Sequence, residues 1–299
     1  MKYLFLTLSV LGLCEAANVD VFFLSGQSNA SGRANTGYVA DARDASVNYY
    51  YDTDGPVGVY ATSGSFTSLS PVSTGYYGSE IAIGRQLVSA GYTNPYLIKI
   101  ARGGMSIGST SQWGVSDSTT SMWSIWKESV SAALETIIAN GDTPVLRAFF
   151  WNQGESDAPV TAYAESYEAN FSYLVDSIYG HLSSYDSADM QFVTALTHNT
   201  YGAGDLAFYG DVESVRDGQM SVMNSDARYS YFDTNDISED TGLMLDVLHF
   251  SGEGLDMIGE RFVSSYTTSV PEPQAGLFLL LGSGVVLLRR RHYSKGEDL

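Results

Sequence analysis

A chain of 299 residues, 44% of them hydrophobic, is long enough for one large domain or two small ones around a substantial core. Its formal net charge of −19 repels polyanions and excludes nucleic acid as a partner. The one cysteine, Cys14, lies in the expected leader, so the mature chain has no disulfide, thiolate catalyst or cysteine-ligated zinc.

Met1–Ala17 reads as a secretory signal: Lys2 is its positive start, Tyr3–Leu13 its apolar centre, and Ala16 and Ala17 its small cleavage residues. The domain of residues 18–268 then begins with Val19–Leu24, an apolar strand that runs into Gly26–Arg33 (GQSNASGR). Ser28 sits there in a glycine-flanked turn. Ser31–Gly78 is a long connection rich in Ser, Gly, Tyr and Asp, and such loops are usually functional or disordered. Its Tyr49, Tyr50 and Tyr51 either offer rings for sugar stacking or pack the loop onto the domain.

A helix over Ser79–Ala90 precedes the second strand, Tyr96–Ala101, which ends in the turn Gly103–Gly104 and a Gly/Ser-rich connection to Thr120. A helix over Met122–Ala139 leads to the third strand, Val145–Trp151, and the motif Trp151–Asp157 (WNQGESD). Then follow a helix over Ala162–His181, a strand over Gln191–Leu196, a helix over Asp211–Met223 and a weaker fifth strand over Tyr229–Asp233. Leu245–Ser251 (LDVLHFS) and a last helix over Gly252–Ser265 complete the domain. The alternation predicts a three-layer α/β/α sandwich with a five-stranded parallel sheet. In the flavodoxin-like order 2-1-3-4-5, the carboxyl ends of the first three strands lie side by side, where such sheets bind ligands.

The polar motifs fall at those ends. A serine hydroxyl is a weak nucleophile without a base, and His249 is the candidate, with Asp246 three residues earlier to orient it. His198, at the end of the fourth strand, is the rival base, or else a substrate-binding or structural residue. His181 lies on a helix and His292 beyond the domain. The backbone N–H groups of Ser28 and Gly104 and the side-chain amide of Gln153 are candidate oxyanion donors. Asn29, Arg33, Glu155 and His198 are candidate substrate-binding residues, Glu155 being equally suited to fixing its loop. Gly104–Gly108 (GMSIG) matches a nucleophile elbow, but the residues after Gly108 start a helix poorly, which argues against Ser106. The histidines show no metal-ligand spacing, and no cofactor is expected.

The other end carries a second address. VPEP (Val270–Pro273) precedes an apolar run, Ala275–Leu288, and three arginines, Arg289 to Arg291. As a helix the run spans about 21 Å, short of a hydrocarbon core of about 30 Å. This tail, residues 269–299, resembles the PEP-CTERM sorting signal of Gram-negative bacteria. The resemblance implies export, processing by exosortase-type machinery, and membrane contact only through the tail.

Taken in order, GQSNASGR, the Gly-Gly turn, WNQGESD and DVLHFS resemble the blocks of SGNH-type hydrolases, closest to the sialate O-acetylesterase and carbohydrate esterase family 6 group. Tyr77–Leu87 (YGSEIAIGRQL) and Val215–Gln219 (VRDGQ) add to the likeness, which runs from Val19 to Val263. It implies Ser28 as nucleophile, Asp246 and His249 as its triad partners, Gly104 and Gln153 in the oxyanion hole, and O-acetylated sugars as substrates. Ala30, Ala34 and Met105 depart from the commoner methionine, glycine and threonine of that group. An acyltransferase or lipase-like esterase on the same fold, or a non-catalytic carbohydrate-binding protein, is the alternative reading.

Overall fold

A computed structural model describes residues 16–55, 58–199 and 210–269. The expected leader up to residue 15 and the sorting tail from residue 270 lie outside the described residues.

The sheet orders its strands β3-β2-β5-β1-β6-β7-β8, with β4 beside β2. These are β1 (Asn18–Gly26), β2 (Asn48–Asp54), β3 (Tyr60–Thr62), β4 (Thr67–Ser68), β5 (Tyr96–Ala101), β6 (Thr143–Asn152), β7 (Gln191–Ala195) and β8 (Tyr229–Phe232). The five expected strands are β1, β5, β6, β7 and β8, all parallel and in the expected order. The sheet is wider than expected. β2 adds a sixth parallel strand beside β5, and β3 and β4 pair with it antiparallel.

This decides between the two readings of the tyrosines, in favour of packing. Tyr49, Tyr50 and Tyr51 are buried within β2, not displayed on a loop. Successive side chains of a strand point to opposite faces. Tyr49 and Tyr51 therefore enter one core and Tyr50 the other.

Both faces are covered. The helices are α1 (Ser28–Ser31), α2 (Glu80–Ser89), α3 (Met122–Ala139), α4 (Thr161–Glu165), α5 (Tyr167–Leu182), α6 (Val212–Met223) and α7 (Gly252–Ser269). The expected helix over 162–181 is interrupted at Ser166, giving α4 and α5. α2 and α7 bury Ile81, Leu87, Leu255 and Phe262 against Phe22, Leu24 and Phe150 of the sheet. α3 and α5 bury Trp126, Leu134, Phe171 and Ile178 against Phe23, Phe149 and Phe192 on the other face. A strand covered on both faces reads as a nearly continuous apolar run, as VFFL in β1 does. Each such side chain contributes about 1.5–3 kcal/mol on burial. The polar ends of β1, β2, β5 and β6 are thereby held on a rigid edge.

Candidate active site

β1 ends at Gly26, whose φ of +143° suits glycine alone, and a Cβ there would collide with the Asn152 carbonyl of β6. The backbone can therefore pass close to β6, and the Gln27 N–H donates to Asn152 O at 3.0 Å. Gln27 Oε1 accepts from the Ser156 N–H at 3.1 Å and from Gln153 Nε2 at 3.3 Å, tying the serine turn to WNQGESD. Ser28 opens the single-turn helix α1, where a first N–H has no intrahelical acceptor.

Asp246 and His249 lie in a tight hairpin closed by a bridge between Met244 and Phe250 and by the Leu245 N–H donating to His249 O at 2.7 Å. Asp246 Oδ1 accepts the N–H groups of Leu248 and His249, each at 2.8 Å. Both carboxylate oxygens face His249 Nδ1, at 3.1 and 2.9 Å. Burial pushes the Asp246 carboxyl up, but the His249 ring and these N–H groups outweigh it and hold it below its ordinary value. An ionised carboxylate only accepts, so Nδ1 is the donor in this contact and Nε2 is the ring nitrogen left for other partners.

Asn29, the residue after Ser28, fastens this hairpin. Its Nδ2 donates to Leu248 O at 3.2 Å, and its Oδ1 accepts the Phe250 N–H at 3.3 Å. Both neighbours of His249 are thus held by the neighbour of Ser28. Among the described residues no hydrogen bond joins Ser28 Oγ to His249; such bonds commonly tighten only when substrate is bound.

Several expected roles change. Asn29 is 2% exposed, with its amide committed to the hairpin and to Glu155 Oε1 at 2.7 Å, so it positions rather than binds substrate. Glu155 is buried with it, and burial raises its pKa. Gln153 is fully buried, and its Nε2 donates to Asp157 Oδ2 and to Met105 O at 3.1 Å. Together with Gln27 Oε1 that makes three acceptors around two amide hydrogens, so here the side chain is committed within its own loop.

Asp157 is pushed up to about 6 by burial, although Gln153 and the N–H groups of Ile107 and Gly108 donate to it. Arg33 faces inward, paired with Asp54 at 3.3 Å, and does not reach toward a ligand. His198 is 3% exposed, edge-on to Phe250, and its pKa is lowered by burial. It is enclosed where the expected substrate contact needs it open. Ser106 donates its hydroxyl to Gln112 Oε1 at 2.8 Å.

Asp54 was missed. At the end of β2 it accepts the Gly103 N–H with both oxygens at 3.1 Å and the Ser31 hydroxyl at 2.5 Å. It fixes the Gly103–Gly104 turn relative to the serine turn. Gly104, at φ +72°, has open space beside it, and its N–H makes no hydrogen bond among the described residues. Only the placement of β2 brings Asp54 here, and nothing in the local sequence signals it.

A family profile described as carbohydrate esterase, sialic acid-specific acetylesterase, matches residues 18–268. No curated protein matches. A solved protein from Arabidopsis thaliana is 17% identical with a TM-score of 0.56, over 83% of this chain and 98% of that one. A carbohydrate acetylesterase from Xanthomonas citri is 15% identical with a TM-score of 0.53, over 81% of this chain and 54% of that one. At such identities the likeness is one of fold. With the family match spanning the whole sheet and the serine and histidine turns, the chain belongs to the carbohydrate esterases of the sialic acid-specific acetylesterase type, hydrolases of acetyl esters.

Proposed function

We propose that the protein is an exported serine esterase that removes O-acetyl groups from carbohydrates, with Ser28 as nucleophile, His249 as base and Asp246 as the carboxylate that orients it. The observation that carries this reading is the His249 ring, held on Asp246 through Nδ1 and flanked on both sides by backbone bonded to Asn29. Ser28 Oγ attacks the acetyl carbonyl while His249 Nε2 takes its proton. The N–H groups of Ser28 and Gly104 receive the oxyanion, each such donor being worth about 3–4 kcal/mol. The imidazolium protonates the departing sugar oxygen, and water then attacks the acetyl-enzyme, with His249 again as base, to release acetate.

The test is acetate release from a panel of acetylated xylan, acetylated sialic acid and a long-chain ester. Acetate is expected from the acetylated sugars, with little fatty acid from the long-chain ester. Faster cleavage of the long-chain ester, or sugar binding without turnover, would overturn the carbohydrate esterase reading.

The sequence addresses at the two ends support export and exosortase-type sorting. Among the described residues no helix is long and apolar enough to cross a membrane. Removing residues 270–299 is expected to release active protein to the medium. Membrane association that survives the truncation would contradict the sorting role.

A further inference from the structure

We infer that the site selects a neutral acetylated pyranose, seated on the exposed ring of Tyr60, over a sugar acid such as an acetylated sialic acid. The inference rests on the carbohydrate esterase reading and narrows its substrate. Two independent observations carry it, an aromatic platform at the rim and the absence of an uncommitted cation near it.

Tyr60 begins β3 opposite Asp54 of β2, whose carboxylate holds the Gly103 N–H. One strand spacing, about 5 Å, separates the Tyr60 and Asp54 backbones. The tyrosine therefore stands within a sugar ring or two of the Gly103–Gly104 turn. Its side chain is largely in solvent, the residue being 58% exposed. It is nevertheless braced from one side, because the Arg102 guanidinium lies 4.4 Å from the ring centroid. Arg102 is itself fixed by Asp52 at 2.8 Å, and Asp52 by the Ser129 hydroxyl at 3.0 Å. A ring pinned on one face and open on the other is the surface on which the C–H face of a pyranose packs, at little entropic cost. Tyr49 to Tyr51 are buried, and the tyrosine open to a sugar is Tyr60 on the neighbouring strand β3.

A sugar acid needs a cation, and those near the site are spoken for. Every arginine among the described residues has a carboxylate within 3.3 Å, Arg33 and Arg102 at the rim included. Lys99 is buried against Glu80, and Lys127 lies over Trp123 on α3. Residues 56–57 and 200–209 contain no lysine or arginine. A carboxylate-bearing sugar would meet paired charges and a net charge of −19, and no anchoring fork.

The test compares kcat/KM of the full-length protein for acetylated xylo-oligosaccharide, O-acetylated sialic acid and nitrophenyl acetate at low and high salt. The neutral sugar is expected to exceed the sialic acid about tenfold or more at low salt, with the gap narrowing as salt screens the repulsion. Tyr60→Ala is expected to raise KM for the xylo-oligosaccharide about tenfold, lowering its efficiency relative to nitrophenyl acetate, and Tyr60→Trp to restore it. Equal or better hydrolysis of the sialic acid would overturn the inference, as would an unchanged efficiency ratio in Tyr60→Ala. In both cases continued release of acetate from sugars leaves the esterase reading standing. Cleavage of nitrophenyl acetate with no sugar cleaved at all would remove both.

Discussion

Replacing Ser28 with alanine is expected to lower kcat/KM for nitrophenyl acetate by about 10³-fold or more, leaving only what binding and the oxyanion donors supply. His249→Ala is expected to lose a similar factor, and the double variant little beyond either single one, because the two groups act as a unit. Ser106→Ala is expected to stay within about threefold of the parent, with at most about 1 kcal/mol lost from the Gln112 hydrogen bond. The comparison is sharp because both serines follow carboxyl ends of neighbouring strands, β1 and β5. What separates them is their surroundings. The residue after Ser28 holds both neighbours of His249, while Ser106 faces a glutamine amide. If Ser106→Ala abolished turnover and Ser28→Ala did not, the nucleophile would have to be moved to Ser106.

The strands with apolar runs are legible in the sequence, since a strand buried on both faces is hydrophobic over most of its length, as β1, β5, β6 and β7 are apart from single polar residues such as Lys99. β2 (NYYYDTD) is not, because Asn and Asp at its ends and hydroxyls along it read as loop chemistry. Its burial is decided by β5, whose free edge it covers. Without β2, Asp54 has no visible place at the site, and sugar stacking and core packing stay open together for the three tyrosines. At the site, the motifs name stretches of chain that the fold brings together, but not the directions of their side chains. An amide such as that of Gln153 serves an oxyanion or a buried carboxylate equally well on paper. The choice depends on Asp157 and Met105 lying within reach in the folded chain. The same holds for Arg33, whose partner comes from the strand that was not foreseen. The pair Asp246 and His249 is readable because its geometry is local, set within one hairpin of a few residues.

Lys99→Met is expected to destabilise the protein by about 3–5 kcal/mol, the usual cost of stripping one partner from a buried ion pair. Lys99 and Glu80 are fully enclosed, with Nζ 2.7 Å from Oε2. Nζ also donates to Ser31 O at 2.6 Å, and Glu80 accepts the Gly78 N–H with both oxygens, at 3.0 and 2.9 Å. Desolvation lowers the Lys99 pKa and the attraction of Glu80 opposes it. Without the cation, Glu80 is left as a buried carboxylate and the last carbonyl of α1 loses its donor. Glu80→Leu is expected to cost a comparable amount, and Lys99→Met with Glu80→Leu clearly less than the sum, because an apolar pair leaves no charge behind. Denaturant unfolding of the four proteins measures this cycle. A loss below about 1 kcal/mol in Lys99→Met would mean that the pair is not the anchor described. Activity separates anchoring from stability. Leu174→Ala, on the buried face of α5, is expected to destabilise by a similar amount, about 2–5 kcal/mol. It belongs to the core on the opposite face of the sheet from Ala30 of α1, so below its unfolding range it is expected to keep kcat. Lys99→Met is expected to lose kcat even where it is fully folded, since the ammonium it removes holds the turn on which Ser28 stands.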